Sequence, residues 1–339
     1  MINKKQTLKG VILLFLTTLL FISLLTAISF GAYNISIIDI LSFKVSKLDW
    51  IVLTEIRAPR VLLAGFVGAA LSISGASLQG LFRNPLAEPG LIGVSSGAAL
   101  GAAASIVFGS YIFNESIEIF MVPLSAIIGS VLVILILILI TNKFGLNSIT
   151  YLLLAGIAIN AFSGVGIGIL TYISDESELR GLTFWSMGSF GGANWKIIIP
   201  SVVLILITII WKIRFSRKLD ILQLGEREAY RIGIDVKKLK INIIITSAIV
   251  IGAGVSLSGM IGFVGLVVPH IIRLLGVVKH KMLLICSALG GSSLLIISDL
   301  ICRTIIKPAE IPVGLITSAI GAPFFLWLIF KMKNDEYYR

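Results

Sequence analysis

The sequence predicts an all-α, polytopic membrane protein with about ten transmembrane helices. The chain has 339 residues, of which 57% are hydrophobic and only 13% are charged. Soluble domains carry roughly 45–50% apolar and about 25% charged residues. The mean hydropathy of +1.04 leaves too little polar surface to cover a protein of this size in water. Long stretches without any charge also occur, at Val61–Phe82, Pro89–Asn114, Phe144–Ser174 and Ile241–Ile272. A soluble enzyme is therefore excluded.

The individual helices follow from the length of the apolar runs and from the charges, Gly and Pro between them. A helix needs about 20 apolar residues to cross a hydrocarbon core of ~30 Å. The first run is too long for the apolar core of a signal peptide, so we predict a retained first helix. The run Ile241–Ile272 is too long for one span, and we divide it at the small residues between Gly252 and Gly259. The predicted helices cover residues 10–30, 60–82, 91–109, 120–141, 149–172, 196–213, 241–256, 260–276, 282–300 and 312–330, in one transmembrane domain comprising residues 1–339.

The distribution of Lys and Arg predicts the orientation of these helices. Ten spans with both termini in the cytoplasm place twenty of the 28 basic residues on the cytoplasmic side, as the positive-inside rule requires. The net charge of +11 is thus explained by membrane orientation, and we expect no nucleic-acid partner. The longest polar connection, residues 214–240, is cytoplasmic in this topology. Its charged segment Gly225–Gly233 is predicted to be helical, as in a docking element for a cytoplasmic partner, and the alternative is a solvated charged loop.

The sequence lacks the motifs that several kinds of chemistry require. The chain has no G-x-x-x-x-G-K-[ST] sequence, so it binds no nucleotide through a P-loop. Cys286 and Cys302 are interpreted as buried small residues, and His270 and His280 have no metal-ligand spacing. We therefore expect no enzymatic activity, metal site or cofactor in this chain. The predicted spans hold few ionisable residues, and Asp299 is the one carboxylate among them. It forms either a local ion pair with Arg303, one helical turn away, or the coupling site of a self-powered secondary transporter.

Several blocks, in order along the chain, resemble the permease subunits of ABC importers for iron-siderophores, haem and vitamin B12. Arg57-Ala58-Pro59-Arg60 is similar to that family's R-x-P-R motif. Further blocks with this resemblance are Gln79–Gly93, Gly225–Gly233, Gly259–His270, Glu310–Gly314 and Gly321–Phe325. The resemblance covers about residues 55 to 331. It implies a ten-helix permease in the bacterial cytoplasmic membrane, surrounded by lipid and paired with a second permease copy or a homologous chain.

The resemblance also implies partners and the residues that contact them. An extracytoplasmic binding protein would dock on Arg57, Arg60 and Arg303, whose alternative role is to reach the lipid headgroups. Two ATP-binding cassette subunits, which use ATP and Mg²⁺, would seat the cytoplasmic coupling loop of residues 214–240. The coupling residues implied by the motif are Leu224, Gly225, Glu226, Arg227, Ala229 and Gly233.

The resemblance further implies an iron chelate as the cargo, and the blocks around Arg180 and Arg303 are most similar to haem permeases. Arg180 beside Phe184, Trp185 and Met187 would suit a flat apolar ring that carries two propionates. The alternative is that these aromatic residues belong to an interfacial belt and that Arg180 is an ordinary loop charge. Ferric siderophores and cobalamin remain the alternative cargoes.

Overall fold

The computed structural model describes residues 2–337, except for residues 32, 34, 43, 44, 113, 114, 145–148 and 308. Throughout this described part, the regular secondary structure is helical. The α-helices are α1 (Ile2–Ser29), α2 (Ile37–Leu41), α3 (Lys47–Ile51), α4 (Ala58–Phe82), α5 (Val94–Ile112), α6 (Glu115–Phe144), α7 (Ile149–Ile173), α8 (Glu176–Met187), α9 (Trp195–Ile213), α10 (Ser216–Leu222), α11 (Glu226–Arg231), α12 (Val236–Ser258), α13 (Val264–Leu274), α14 (His280–Ile305) and α15 (Val313–Tyr337).

Each of the ten predicted transmembrane helices corresponds to one helix of the structure. Among the described residues, seven helical segments are long and apolar enough to cross a membrane: those in α1, α3–α4, α6, α7, α9, α12 and α14. Shorter apolar helices occur in α5, α13 and α15. The predicted fold class, an all-α polytopic membrane protein, is confirmed.

One predicted boundary is wrong. We expected a turn between Gly252 and Gly259, but α12 remains helical through Ser258. The small residues serve helix packing instead, because a Cβ on Gly252 would come within 2.8 Å of Ser130 on α6. The chain breaks between α12 and α13, where Gly259 and Phe263 both have φ of 68°.

Helix α4 is the centre of the bundle and packs against α9, α12, α13 and α14. Its small residues allow very close approach, as small residues do between helices in lipid. A Cβ on Gly68 would overlap the carbonyl oxygen of Gly291 on α14, and a Cβ on Gly75 would overlap that of Gly265 on α13. A turn of π-helix at Val52–Arg57 leads into α4. This turn ends two residues before Pro59, which cannot donate a backbone hydrogen bond.

The segment between α4 and α5 turns back into the bundle. Ala87 and Ile92 are buried, and Pro89 begins a short 3₁₀ turn, Pro89–Ile92, that packs against Gly265. Some of the backbone N–H and carbonyl groups of this segment pair with one another. For example, the Leu91 N–H donates to the Glu88 carbonyl at 3.1 Å. Such pairing allows non-helical backbone to lie within a membrane protein.

The two ends of the bundle carry different sets of polar contacts. The end of α1 at Ser29 contacts Arg57, and we call this the arginine end. The start of α14 at His280 contacts Asp220 on α10, and we call this the coupling end. Helices α1 and α14 run from the coupling end to the arginine end, while α15 returns. Both described termini of the chain therefore lie at the coupling end.

Candidate functional site

The coupling end carries two short helices between α9 and α12. Glycines with positive φ bracket α11, with φ of 117° at Gly225 and 87° at Gly233, a region that glycine enters without steric cost. Asp235 then caps α12 by accepting the Lys238 backbone N–H at 2.9 Å. This hydrogen bond stabilises the carboxylate and lowers the pKa of Asp235. The segment Ser216–Asp235, which we call the coupling segment, is therefore an ordered element rather than a loose linker.

Side-chain contacts fix the coupling segment to three long helices. Gln223 donates from Nε2 to the Gly80 carbonyl of α4 at 2.8 Å. An oxygen of Asp220 accepts the backbone N–H of His280 on α14 at 2.8 Å and lies 2.7 Å from its ring Nδ1. On the third side, Lys240 of α12 forms a buried ion pair with Glu226 at 2.8 Å. A force on this segment is thus transmitted directly to α4, α12 and α14.

One face of the coupling segment is apolar and exposed. Leu224 is 69% exposed, Tyr230 76% and Ile232 61%, whereas Ala229 is completely buried on the inner face of α11. Exposed apolar groups next to a polar rim are typical of a protein-binding surface. A cavity of about 480 Å³ between α11 and α12, lined by Arg227 among others, adjoins this face. Of the predicted coupling residues, Leu224 and Arg227 are thus available to a partner, while Glu226 and Ala229 hold the segment in place.

At the arginine end, Arg60 is held by two carboxylates. Its guanidinium donates to both oxygens of Asp299 at 2.8–3.1 Å and to both oxygens of Glu310 at 2.8 and 2.9 Å. Asp299 also pairs with Arg303 at 3.2 Å, so the predicted local ion pair is confirmed. The network joins α4 to α14 and to the start of α15. A buried guanidinium that is paired with carboxylates in this way serves primarily to hold the helices of the fold together.

The three arginines predicted to dock a binding protein are buried in this conformation. Their exposed fractions are 4% for Arg57, 8% for Arg60 and 6% for Arg303. Arg57 donates to the backbone carbonyls of Ile28, Ser29 and Tyr33, while Arg303 donates to that of Ala27 at 2.9 Å. Sequence analysis located these residues at one end of the protein. It did not anticipate that Arg57 and Arg303 bind the end of α1, or that Arg60 ties α4 to α14.

The predicted substrate-path residues all lie on or near α8, but in different surroundings. Arg180 is exposed and lies 3.7 Å from Glu176, one turn away. Phe184 is exposed and Met187 is half-buried. Trp185 lines two small cavities of about 110 and 190 Å³. The structure therefore places one of the four at the wall of a cavity and leaves Arg180 and Phe184 on the surface.

One polar contact was missed by the sequence analysis. Glu88 accepts the backbone N–H of Phe263 at 3.1 Å, at the break between α12 and α13. This carboxylate therefore caps the break and lies at the N-terminal end of α13, where negative charge is stabilising. The Pro and Gly residues around Glu88 predicted only an irregular connection, with no sign that it returns into the bundle. Within the described residues, no three His, Cys, Asp or Glu side chains are grouped to hold a metal ion.

Comparison with known proteins places this arrangement in context. The chain is 45% identical over 322 residues to the hemin transport system permease protein HmuU of Yersinia pestis, covering 95% of this chain and 96% of that protein. It is 37% identical to the vitamin B12 import system permease protein BtuC of Shigella boydii, covering 95% of each chain. A solved inward-facing structure of a transporter assigned to the metal-chelate type of ABC transporters matches with a TM-score of 0.85 and 34% identity. That match covers 95% of this chain and 99% of the other. The family model for the FecCD transport family matches residues 19–331, and the chain, whose described residues form ten apolar helices and an anchored coupling segment, belongs to that family.

Proposed function

We propose that this chain is the membrane-spanning subunit of an ATP-driven importer that carries haem across the bacterial cytoplasmic membrane. In the working complex, two copies of the chain would enclose the path, with two ATPases at the coupling end and a binding protein at the arginine end. Both termini would then be cytoplasmic. The chain itself binds no cofactor in this scheme, and the ATPases bind the ATP and Mg²⁺.

The coupling segment is the observation that carries this proposal. Its apolar face, formed by Leu224, Tyr230 and Ile232, is exposed and suits a cleft on a partner protein. Its opposite side is tied to α4, α12 and α14 by Gln223, Glu226 and Asp220. Closure of an ATPase pair would therefore move three spanning helices together, which is the requirement for alternating access powered from outside this chain.

Haem is the proposed cargo because a hemin permease is 45% identical over nearly the whole chain. The relatives that import vitamin B12 are 37–38% identical, which supports cobalamin as an alternative cargo. The solved metal-chelate transporter supports a ferric siderophore in the same way. On α8, Arg180, Phe184, Trp185 and Met187 remain the proposed contacts for the entering ligand.

Docking of the binding protein is proposed at the arginine end. Arg57, Arg60 and Arg303 carry three positive charges there, against two negative charges on Asp299 and Glu310. Carboxylates on the binding protein would have to compete with these internal partners. Glu310, with 44% of its side chain exposed, is the internal partner most easily displaced.

Uptake by the reconstituted complex tests the proposed cargo. Proteoliposomes containing the chain, its ATPase and its binding protein should accumulate hemin only when ATP is supplied to the coupling side. An excess of a ferric siderophore or of cobalamin should leave hemin uptake unchanged. Uptake of one of these competitors, in place of hemin, would contradict haem as the cargo while retaining the importer.

A further inference from the structure

We propose that the corner between α9 and α10 binds the headgroup of an anionic phospholipid, whose acyl chains lie along the outer face of α9. The corner carries Arg214 and Lys218, each beside an aromatic ring, and Arg217, one helical turn after Arg214. Because Ser216 begins the coupling segment, a headgroup bound here also holds the first turn of that segment at the membrane surface. The inference goes beyond the proposed function, since it concerns a lipid and does not depend on the cargo.

Helix α9 buries one side and leaves the other side open. The buried residues follow the spacing of one helix face, at Ile198, Ser201, Ile205, Thr208 and Lys212. Lys212 donates to the Ser247 hydroxyl of α12 at 2.6 Å, which fixes this inner face near the coupling end. The opposite face is apolar, and Val203, Ile207 and Ile210 on it are each at least 50% exposed. Acyl chains are as apolar as such side chains, so this outer face suits the tails of a lipid.

The backbone passes from α9 into α10 without leaving the helical region. Arg214 has φ of −63° and ψ of −26°, and Phe215 has φ of −85° and ψ of −5°. The Phe215 N–H still donates to a carbonyl of α9 at 3.0 Å. The spacing i, i+3, i+4, i+7, which places side chains on one helix face, therefore applies to Trp211, Arg214, Phe215 and Lys218. This face continues the outer face of α9, because Trp211 lies one turn after Ile207.

Two cations alternate with two aromatic rings on this face. The Arg214 guanidinium lies 5.3 Å from the centre of the Trp211 ring, and the Lys218 ammonium lies 5.9 Å from the centre of the Phe215 ring. The two rings meet edge to face, with centroids 6.4 Å apart and an angle of 64° between their planes. A cation–π contact positions a cation without occupying all of its N–H donors. The remaining donors are therefore available to an anion.

The three cations of the corner have no carboxylate partner within the described residues. Arg214, Arg217 and Lys218 are exposed and take part in none of the ion pairs found there. The nearest acidic residue along the chain, Asp220, is engaged by His280 instead. Guanidinium groups pair well with phosphate oxygens, and basic residues next to a membrane span attract anionic lipids. A second copy of this chain would bring the same positive charges, so the charge favours an anionic phospholipid as the occupant.

Native mass spectrometry of the delipidated full-length chain in mild detergent tests the site. The probes are dioleoylphosphatidylglycerol, which is anionic, and dioleoylphosphatidylcholine, which is zwitterionic. The wild type should bind the first phosphatidylglycerol molecule more tightly than the first phosphatidylcholine molecule. Each basic residue at a membrane surface contributes about fivefold to the affinity for anionic lipid. The double variant Arg214→Gln with Lys218→Gln should therefore bind phosphatidylglycerol about 25-fold more weakly, while its affinity for phosphatidylcholine is unchanged.

Two matched double variants separate this corner from the general positive charge of the coupling end. Lys279→Gln with Lys281→Gln removes two other exposed cations at that end and should leave the affinity for phosphatidylglycerol unchanged. Arg214→Lys with Lys218→Arg keeps both charges and should retain most of the affinity, which a folding defect caused by changes at these positions would not allow. An equal loss in the variant at Lys279 and Lys281, or no loss in Arg214→Gln with Lys218→Gln, would overturn the inference.

Two other occupants of the corner are distinguished by further measurements. Soluble glycerol 3-phosphate lacks acyl chains and should not displace phosphatidylglycerol, and displacement at equal concentration would show a site for a soluble phosphate and overturn the lipid. The partner ATPase should bind the wild type and Arg214→Gln with Lys218→Gln equally well in phosphatidylcholine nanodiscs. Loss of ATPase binding with unchanged phosphatidylglycerol binding would assign the corner to that protein and overturn the inference. None of these results bears on the cargo, which hemin uptake tests separately.

Discussion

Replacing Asp299 by Asn tests the buried ion network at the arginine end. The Asp299 side chain is 1% exposed and forms ion pairs with both Arg60 and Arg303. Asn removes the negative charge while keeping nearly the same shape and one acceptor oxygen. Two buried guanidinium groups are then left with Glu310 as the remaining carboxylate partner in the described network.

The expected loss follows from these contacts. Removing one partner of a buried ion pair costs about 3–5 kcal/mol. The remaining Asn oxygen and the intact contact of Arg60 with Glu310 offset part of this, so we expect the free energy of unfolding to fall by about 2–4 kcal/mol. Glu310→Gln is the matched control, because that side chain is 44% exposed and exposed pairs contribute only about 0–1 kcal/mol.

Chemical denaturation of both variants in the same lipid environment measures the difference. A loss in Asp299→Asn no greater than that in Glu310→Gln would refute the interpretation of the network as a structural tie. The same variant addresses the rival mechanism. If Asp299→Asn folded normally and hydrolysed ATP in its complex but no longer transported, Asp299 would act in the pathway, as an ion-coupled transporter requires.

Three further predictions concern packing, the helix break and coupling. The Gly68→Leu side chain would overlap the Gly291 carbonyl, so this variant should lose the folded monodisperse species on gel filtration. The control is Gly90→Ala, where an added Cβ meets no atom within 4 Å; it should elute as the wild type. Glu88→Ala leaves a backbone N–H at the start of α13 unpaired and should lower the unfolding free energy by about 1–3 kcal/mol, while Glu88→Gln keeps an acceptor and should recover most of the loss. Leu224→Asp changes an exposed side chain, so thermal stability should be unchanged, but affinity for the ATPase measured by interferometry should fall at least ~tenfold.

The sequence was sufficient to predict the helices that apolar length determines. In the described part of the chain, ten apolar helices lie where apolar runs lie in the sequence, and the seven long ones follow from the minimum length that the width of the bilayer sets. The division of Ile241–Ile272 was predicted correctly, but the turn was expected across Gly252–Gly259, whereas the helix breaks only from Gly259 onward. Small residues serve equally in turns and in close helix packing, and only the position of neighbouring helices decides between them.

The functional residues were harder to predict because their contacts are far apart in sequence. The Arg60 guanidinium meets residues 239 and 250 positions away, and no periodicity reveals such pairs. Similarly, Glu88 meets a backbone N–H 175 residues away. Positive charge at the arginine end could be predicted, but its burial could not. The coupling segment was predicted more fully, since its charges, glycines and length are all local features.

Isolation of the tagged chain in mild detergent, with mass spectrometry of the proteins that remain bound, tests the central claim most directly. The account predicts a P-loop ATPase in about equal amount, because the proposed docking surface for it is the exposed apolar face of the coupling segment. The Leu224→Asp variant should release that ATPase while remaining folded. A chain that is isolated alone in several detergents, yet moves hemin into vesicles without ATP, would contradict the account.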